Sequence, residues 1–252
     1  TFTSALGGSS GNIAAGLGRL GSRVSLLGRV SDDAVGKYTL NQCAAYGIDT
    51  GNVVVERSEV RTTLALSETR TGDTQTVIYR NNAADLNVQV ADVEWVEWES
   101  VNALIFTGTS LAKEPSRSAT LAAIDAAIAH GATVMFDIDY RAYSWASLEE
   151  AAKTCGDAAA KCQIIIGNDD EFGVLAGDYD QGRAHAEAMA GDGRICVYKR
   201  GADGSTTFDG RNGDRFDTGI YPVTAIKPTG AGDACMASFA HNFMRDVDLR
   251  TC

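Results

Sequence analysis

Between residues 103 and 198, short apolar runs alternate with segments of helical periodicity, and this alternation constrains the fold more than any other feature. The runs at 103–107, 132–137, 163–166 and 195–198 are short and bounded by polar turns, so they read as buried strands. The intervening stretches, 115–129, 148–160, about 169–176 and 181–190, read as amphipathic helices. Buried strands separated by helices imply an α/β fold, a mostly parallel sheet covered on both faces. Ligands of such sheets bind outside the C-terminal strand ends. Three polar clusters stand there: Asp137-Ile138-Asp139-Tyr140-Arg141, Gly167-Asn168-Asp169-Asp170-Glu171 and Lys199-Arg200-Gly201.

The same alternation opens the chain. Gly7-Gly8-Ser9-Ser10-Gly11-Asn12 is a turn feeding a helix with Ile13, Leu17 and Leu20 on one face, and Gly21 ends it. Val24 to Leu27 reads as a buried strand, and a helix over about 34–46 follows Asp32 and Asp33. The strands expected at 52–55, 61–67 and 74–79, the last two joined across Thr71-Gly72-Asp73, interrupt the pattern. They predict a small β-subdomain or lid, ending in Arg80. No repeat, low-complexity stretch or linker divides 1–252, so one domain is expected, and 44% apolar residues suffice for its core.

A formal charge of -11 argues against nucleic acid or an anionic membrane as partner, though local arginines can still hold a small anion. No apolar run approaches membrane-spanning length. The six cysteines form no C-x-x-C pair and read as reduced, mostly buried thiols of a cytoplasmic protein. Three histidines far apart give no metal-ligand spacing and no triad.

Thr229-Gly230-Ala231-Gly232-Asp233 carries the sharpest chemistry. Ala234, Met236, Ala237, Phe239, Ala240 and Phe243 fall at helical spacing, so a helix begins at or just before Ala231. Glycines at a helix N-terminus leave backbone N–H groups open to an anion, above all phosphate. A carboxylate beside such a site suits an acid that takes a proton from a hydroxyl while the amides hold a phosphoryl group. An ordinary acid in a helix's first turn fits the spacing equally well. Asn168 and Glu171, three apart at a helix start, could hold the waters of a phosphate-bound Mg2+ or form a capping box. Lys199 and Gly201, with Gly204, could hold nucleotide phosphates or make a hairpin turn. Arg80 and Arg141 would suit a carboxylate if both face a cleft, and are otherwise solvated. Gly8 and Asn12 could admit a polyol or simply make a tight turn capped by Ser10 or Asn12.

The joint order is more specific than any of its parts. GGSSGN before a helix, SDD-x-x-G, N-x-x-E, KRG-x-x-G and TGAGD in succession resemble the PfkB, or ribokinase-like, carbohydrate kinases over almost the whole chain. Within that family, VIYRNNAAD, FDIDYRAYSW, IIIGNDDEFGVLAG and GIYPVTAIKPTGAGDA are most similar to the branch serving inositol catabolism. The resemblance implies a ribokinase-like fold with a β-lid, and phosphorylation of a sugar acid's primary hydroxyl by ATP with Mg2+. The branch's substrate is 5-dehydro-2-deoxygluconate, which becomes the 6-phosphate. By resemblance, Asp233 is the catalytic base, and the Gly230, Ala231 and Gly232 amides form the anion hole. Asn168, Lys199, Gly201, Gly204 and Thr229 meet ATP, and Glu171 meets Mg2+ through water. Gly8, Asn12, Arg80 and Arg141 bind the sugar acid. A homodimer is an assembly open to such a chain.

Two departures accompany the likeness. Lys227-Pro228 stands where many ribokinases carry an acid and Thr, and that acid helps bind a monovalent cation, so the change counts against a K+ site. The family's first strand, with a sugar-binding Asp, and the elements completing its adenine pocket are expected outside 1–252, a truncation at both ends. Kinases of 2-keto-3-deoxygluconate share the features that favour a sugar acid, and an inactive sugar- or nucleotide-binding relative is the alternative of another class. A dinucleotide oxidoreductase fits poorly, because no G-x-G-x-x-G follows a strand near the start. Neither the P-loop nor the protein-kinase H-R-D pattern occurs.

Overall fold

The computed structural model describes residues 3–68, 76–223 and 229–252. The chain divides into two compact units, Thr1–Val96 with Thr224–His241, and Glu97–Val223 with Asn242–Cys252.

The first unit opens with helix α1 (Ser9–Arg19), which buries Ile13, Ala14 and Leu17. Leu20, expected on the same face, is exposed at the helix end, where Gly21 turns the chain at φ 87°. Of the buried strand expected at 24–27, only β1 (Val24–Ser25) forms, and it is not fully buried; β2 (Gly28–Ser31) follows outside the expected range. After α2 (Ala34–Ala45), whose N–H groups at Val35 and Gly36 are accepted by the Asp33 carboxylate, come β3 (Ile48–Asp49) and β4 (Val53–Glu56). Strand β1 pairs with β3 and β2 with β4, both in parallel. Val24 faces Ile48 in the first ladder and Gly28 faces Val53 in the second, one residue out of step. The extra residue lies in a turn, where the Val53 N–H donates to the Thr50 carbonyl at 2.9 Å, and the ladder breaks there.

Strands β5 (Leu64–Ser67) and β6 (Thr76–Tyr79) form a separate antiparallel ribbon with every residue exposed. Since β4 pairs with β2, residues 52–55 belong to a different sheet from this ribbon. The expected turn at 71–73 and the strand's first residues, 74 and 75, lie outside the described residues. Beyond the ribbon, helix α3 (Val90–Val93) presents Asp92 to Arg29 of β2 at 2.7 and 2.9 Å. Burial alone would disfavour the Asp92 charge, but Arg29 holds its carboxyl below the usual range.

The second unit follows the alternation. Its elements are β7 (Ala103–Thr107), α4 (Ser116–Ala129), β8 (Thr133–Asp137), α5 (Leu148–Ala159), β9 (Ile164–Asn168), α6 (Asp169–Ala176), α7 (Gly182–Ala190) and β10 (Ile195–Lys199). Val134, Met135, Phe136, Ile164, Ile165 and Ile166 are wholly buried at the centre of the sheet. Two strands absent from the sequence reading complete it, β11 (Ser205–Asp209) and β12 (Asp214–Thr218). The order is β12-β11-β10-β9-β8-β7, with β7 to β10 parallel and the added hairpin antiparallel at one edge. STTFD and DRFDT lack the apolar runs that mark the other strands; β11 forms by pairing with β10, and β12 by pairing with β11. An α/β fold with a mostly parallel sheet flanked by helices is therefore observed as expected.

Helix α8 (Ala231–Phe243) starts where the spacing places it and buries Met236, Ala237, Phe239 and Ala240, while Ala234 is exposed. Its residues to His241 belong with the first unit. Among the described residues, no helix is long and apolar enough to cross a membrane.

Candidate active site

In the first unit the site is built by two helices. Gly8 precedes α1 at φ 84° and Gly230 precedes α8 at φ 86°, a region favoured by glycine, and each carbonyl accepts the first helical N–H, from Asn12 at 2.8 Å and Ala234 at 2.9 Å. The amides of Ala231, Gly232 and Asp233 lie in the first turn, where no intrahelical carbonyl reaches them. The Asn12 amide donates to Asp233 Oδ2 at 2.7 Å. Neither Ser10 nor Asn12 caps α1; its cap is Gly8, with no side-chain bond. At the far ends of the same two helices, Ser22 Oγ and His241 Nδ1 lie 2.8 Å apart. Contacts between the two beginnings and near the two ends mean that α1 and α8 run parallel. Both positive dipole ends therefore converge on the turns at Gly8 and Gly230, with Asp233 and Asn12 between them. Thr229 lies exposed in the turn just before.

Arg80, also in the first unit, is not a free cation. Its Nε and Nη2 donate to Asp85 Oδ2 at 2.9 and 2.7 Å, and Asp85 also accepts from Thr63.

In the second unit, Thr107, Asp137, Asn168 and Lys199 end β7 to β10; parallel register sets Thr107 level with Asp137 and Asn168 level with Lys199, while Asp137 stands level with Ile166. Asn168 caps α6. Its Oδ1 accepts the Glu171 N–H at 2.8 Å, and Glu171 Oε2 accepts the Asn168 N–H at 2.7 Å. This is the capping box the sequence allowed, but an unusually buried one, with Glu171 only 7% exposed. Burial pushes its carboxyl above the ordinary range, against the opposing pull of Lys199. Lys199 Nζ lies 3.9 Å from Asp137 Oδ1, and Arg141 Nη2 lies 2.6 Å from Asp139 Oδ1. Asp139 adopts φ 36° and also accepts from Thr109 Oγ1 at 3.3 Å. Arg141, Glu171 and Lys199 are thus drawn around two buried acids, Asp137 and Asp139, that sequence reasoning noted in a polar cluster but gave no role. Two acids alternating with apolar residues at a strand's end were the available signal.

Gly201 and Gly204 bracket a tight turn at φ 55° and 79°. A side chain at Gly204 would meet the Thr218 carbonyl at 2.0 Å, so the hairpin itself requires glycine there. Among the described residues, no group of three or more His, Cys, Asp and Glu side chains is placed to cage a metal. Lys227-Pro228 lies outside the described residues.

The family profile described as pfkB family carbohydrate kinase matches residues 1–252. The chain belongs to this family. It is 38% identical over 252 residues to 5-dehydro-2-deoxygluconokinase of Geobacillus kaustophilus, covering 98% of this chain and 75% of that one. The crystal structure of a PfkB protein from a Polaromonas species superposes with a TM-score of 0.86 at 26% identity, over 97% of this chain and 81% of that one. Fructokinase from Vibrio cholerae, solved with fructose, ADP and calcium, superposes with a TM-score of 0.83 at 23% identity, over 97% and 78%. The pfkB fold expected from the succession of motifs is therefore the observed one.

Proposed function

We propose that this pfkB-family chain transfers the γ-phosphoryl group of ATP to the primary hydroxyl of 5-dehydro-2-deoxygluconate, giving the 6-phosphate and ADP. The observation that carries the chemistry is the Asp233 carboxylate, held by Asn12 at the convergent starts of two parallel helices. Asn12 engages Oδ2, which leaves Oδ1 for a substrate hydroxyl. Asp233 takes the hydroxyl proton, the freed oxygen bonds to the γ-phosphorus, and the bridge to the β-phosphate breaks toward ADP. The Gly230, Ala231 and Gly232 amides stabilise the charge on the group in transit. Gly8 and Asn12 position the sugar. Arg141 and Arg80, each already paired with a carboxylate, give the substrate's acid group a cation only by sharing it with Asp139 or Asp85.

Lys199, Gly201, Gly204, Asn168 and Thr229 are assigned to the nucleotide. Mg2+ would suit the donors near Asn168 and Glu171, where the buried Glu171 carboxylate stands near the buried Asp137 and Asp139 and, among the described residues, no group of side chains is placed to cage a metal, as an ion that keeps most of its waters allows. When bound, it supplies positive charge to the polyphosphate. The likeness to 5-dehydro-2-deoxygluconokinase of Geobacillus kaustophilus supports the choice of sugar acid. Four buried free thiols, Cys43, Cys155, Cys162 and Cys196, suit a cytoplasmic setting.

The test is a coupled ADP-release assay of the full-length protein against keto-deoxy sugar acids, including 2-keto-3-deoxygluconate, and neutral sugars. Turnover confined to neutral sugars would refute the sugar-acid assignment, and no turnover with any sugar would refute the kinase reading.

A further inference from the structure

Glycine stands where α1 meets two different neighbours. A Cβ at Gly16 would lie 2.7 Å from the Ala237 Cβ of α8. A Cβ at Gly18 would lie 2.2 Å from the Tyr46 carbonyl oxygen at the end of α2. Two residues along a helix is a rotation of about 200°, so these contacts lie on nearly opposite sides of α1. The helix is confined between the C-terminal end of α2 and the flank of α8, with no slack on either side.

The contact with α8 bears directly on Asp233. Asn12 and Gly16 are one turn apart on α1, and Asp233 and Ala237 are one turn apart on α8. The Asn12–Asp233 hydrogen bond at 2.7 Å is therefore the next rung of the ladder whose lower rung is Gly16 against Ala237. Ser22 and His241 supply a further rung one turn beyond Ala237. The closest approach of the two helices sets the reach from Asn12 to the carboxylate.

We infer that Gly16 is a positioning residue for phosphoryl transfer: its missing side chain lets α8 approach closely enough for Asn12 to hold Asp233. The inference rests on the assignment of Asp233 as base. Carbon atoms in ordinary contact lie about 3.5–4.0 Å apart, so a methyl at position 16 must open the seam by about 1 Å. Gly18 against Tyr46 keeps α1 from backing away, so the strain falls on the Asn12–Asp233 rung. A displacement of about 1 Å near the reacting atoms can cost about a hundredfold in rate.

The test compares Gly16→Ala, Gly16→Ala with Ala237→Gly, and Asp233→Asn in the full-length enzyme. Gly16→Ala is expected to lower kcat by about 10- to 100-fold and to raise KM for the sugar, with KM for ATP unchanged. The double variant moves the methyl across the seam without adding one, and is expected to return kcat to within about threefold of wild type. Circular dichroism and a melting curve accompany each variant, and the double variant keeps the test open if Gly16→Ala folds poorly. The inference is overturned if folded Gly16→Ala turns over like wild type, or if the folded double variant stays as slow as the single one. A lowered Tm with unchanged kcat would assign the glycine to packing alone and equally overturn it. Failure of the base assignment shows separately, as wild-type turnover by Asp233→Asn.

Discussion

Replacing Arg141 with alanine should do two separable things, because the guanidinium faces both a buried acid and solvent. Its side chain is 45% exposed, whereas that of Asp139, 2.6 Å away, is 4% exposed. If Arg141 also meets the substrate carboxylate, losing that charged hydrogen bond removes about 1.5–3 kcal/mol. That corresponds to roughly a 10- to 150-fold rise in KM for the sugar acid. The same change takes a cation from a buried carboxylate, which costs about 1–3 kcal/mol. Half-exposure of the arginine puts the cost toward the lower end, because solvent screens the pair. For a chain of this size, Tm should fall by about 2–6 °C. Asp139→Asn on top of Arg141→Ala removes the orphaned charge, and asparagine tolerates the positive φ at that position. The double variant should therefore recover Tm but keep the raised KM. The measurements are melting curves and ADP-release kinetics with the sugar acid and with fructose. Equal damage to both substrates by Arg141→Ala, or recovery of KM in the double variant, would refute contact between Arg141 and the substrate carboxylate.

Asp233→Asn should leave ATP affinity and Tm near wild type while kcat falls by about 10²–10⁴; a near-wild-type kcat would take Asp233 out of the mechanism. If the β5–β6 ribbon is a lid, the amides of Leu64–Ser67 and Thr76–Tyr79, residues that are all exposed without substrate, should exchange more slowly with saturating sugar acid. Unchanged exchange would leave the ribbon a static or subunit-joining hairpin. Glu171→Gln should raise Tm at neutral pH and lower turnover. The folded state holds the Glu171 proton more tightly than the unfolded chain does, so its charge opposes folding above that raised pKa. The Tm gain should fade as pH falls and Glu171 itself takes up a proton; a lower Tm at neutral pH would show that the charge is stabilising.

What the sequence disclosed follows from the range of the forces involved. Burial on both faces makes 103–107 and 163–166 uninterrupted apolar runs, so those strands are plain. The β11–β12 hairpin owes its shape to pairing with β10, and its mixed residues leave no period to detect. The break between β1 and β2 comes from a turn between β3 and β4, in the partner segment. Among the candidate site residues, the positions of Asp233, Asn168 and Glu171 at helix starts are legible because helix starts have local signatures. That Asp233 would meet Asn12 was not legible, since it depends on two helices 221 positions apart packing through Gly16. For Arg80 and Arg141 the sequence does not show that partners five and two residues away, Asp85 and Asp139, already hold them.

The charge balance at the strand ends bears on the metal. Asp137, Asp139 and Glu171 are buried there, with Lys199 and Arg141 as their cations. Each cation is already turned toward an acid, so neither offers a full positive charge to a nucleotide polyphosphate. Bringing several phosphate charges near this group without a counterion would be strongly unfavourable where the surroundings exclude water. A capping box alone gives no reason to bury Glu171, since caps in solvent do the same work without disfavouring their own charge. A buried carboxylate that burial pushes toward its neutral form is instead well suited to recovering its charge when a hydrated divalent cation arrives with the nucleotide. Below its raised pKa, where Glu171 still carries a proton, nucleotide–metal binding should then release it. Calorimetry of ATP with Mg2+ in buffers of different ionisation enthalpy would measure that release, and a binding heat identical across buffers in the range where Glu171 is protonated would refute the coupling.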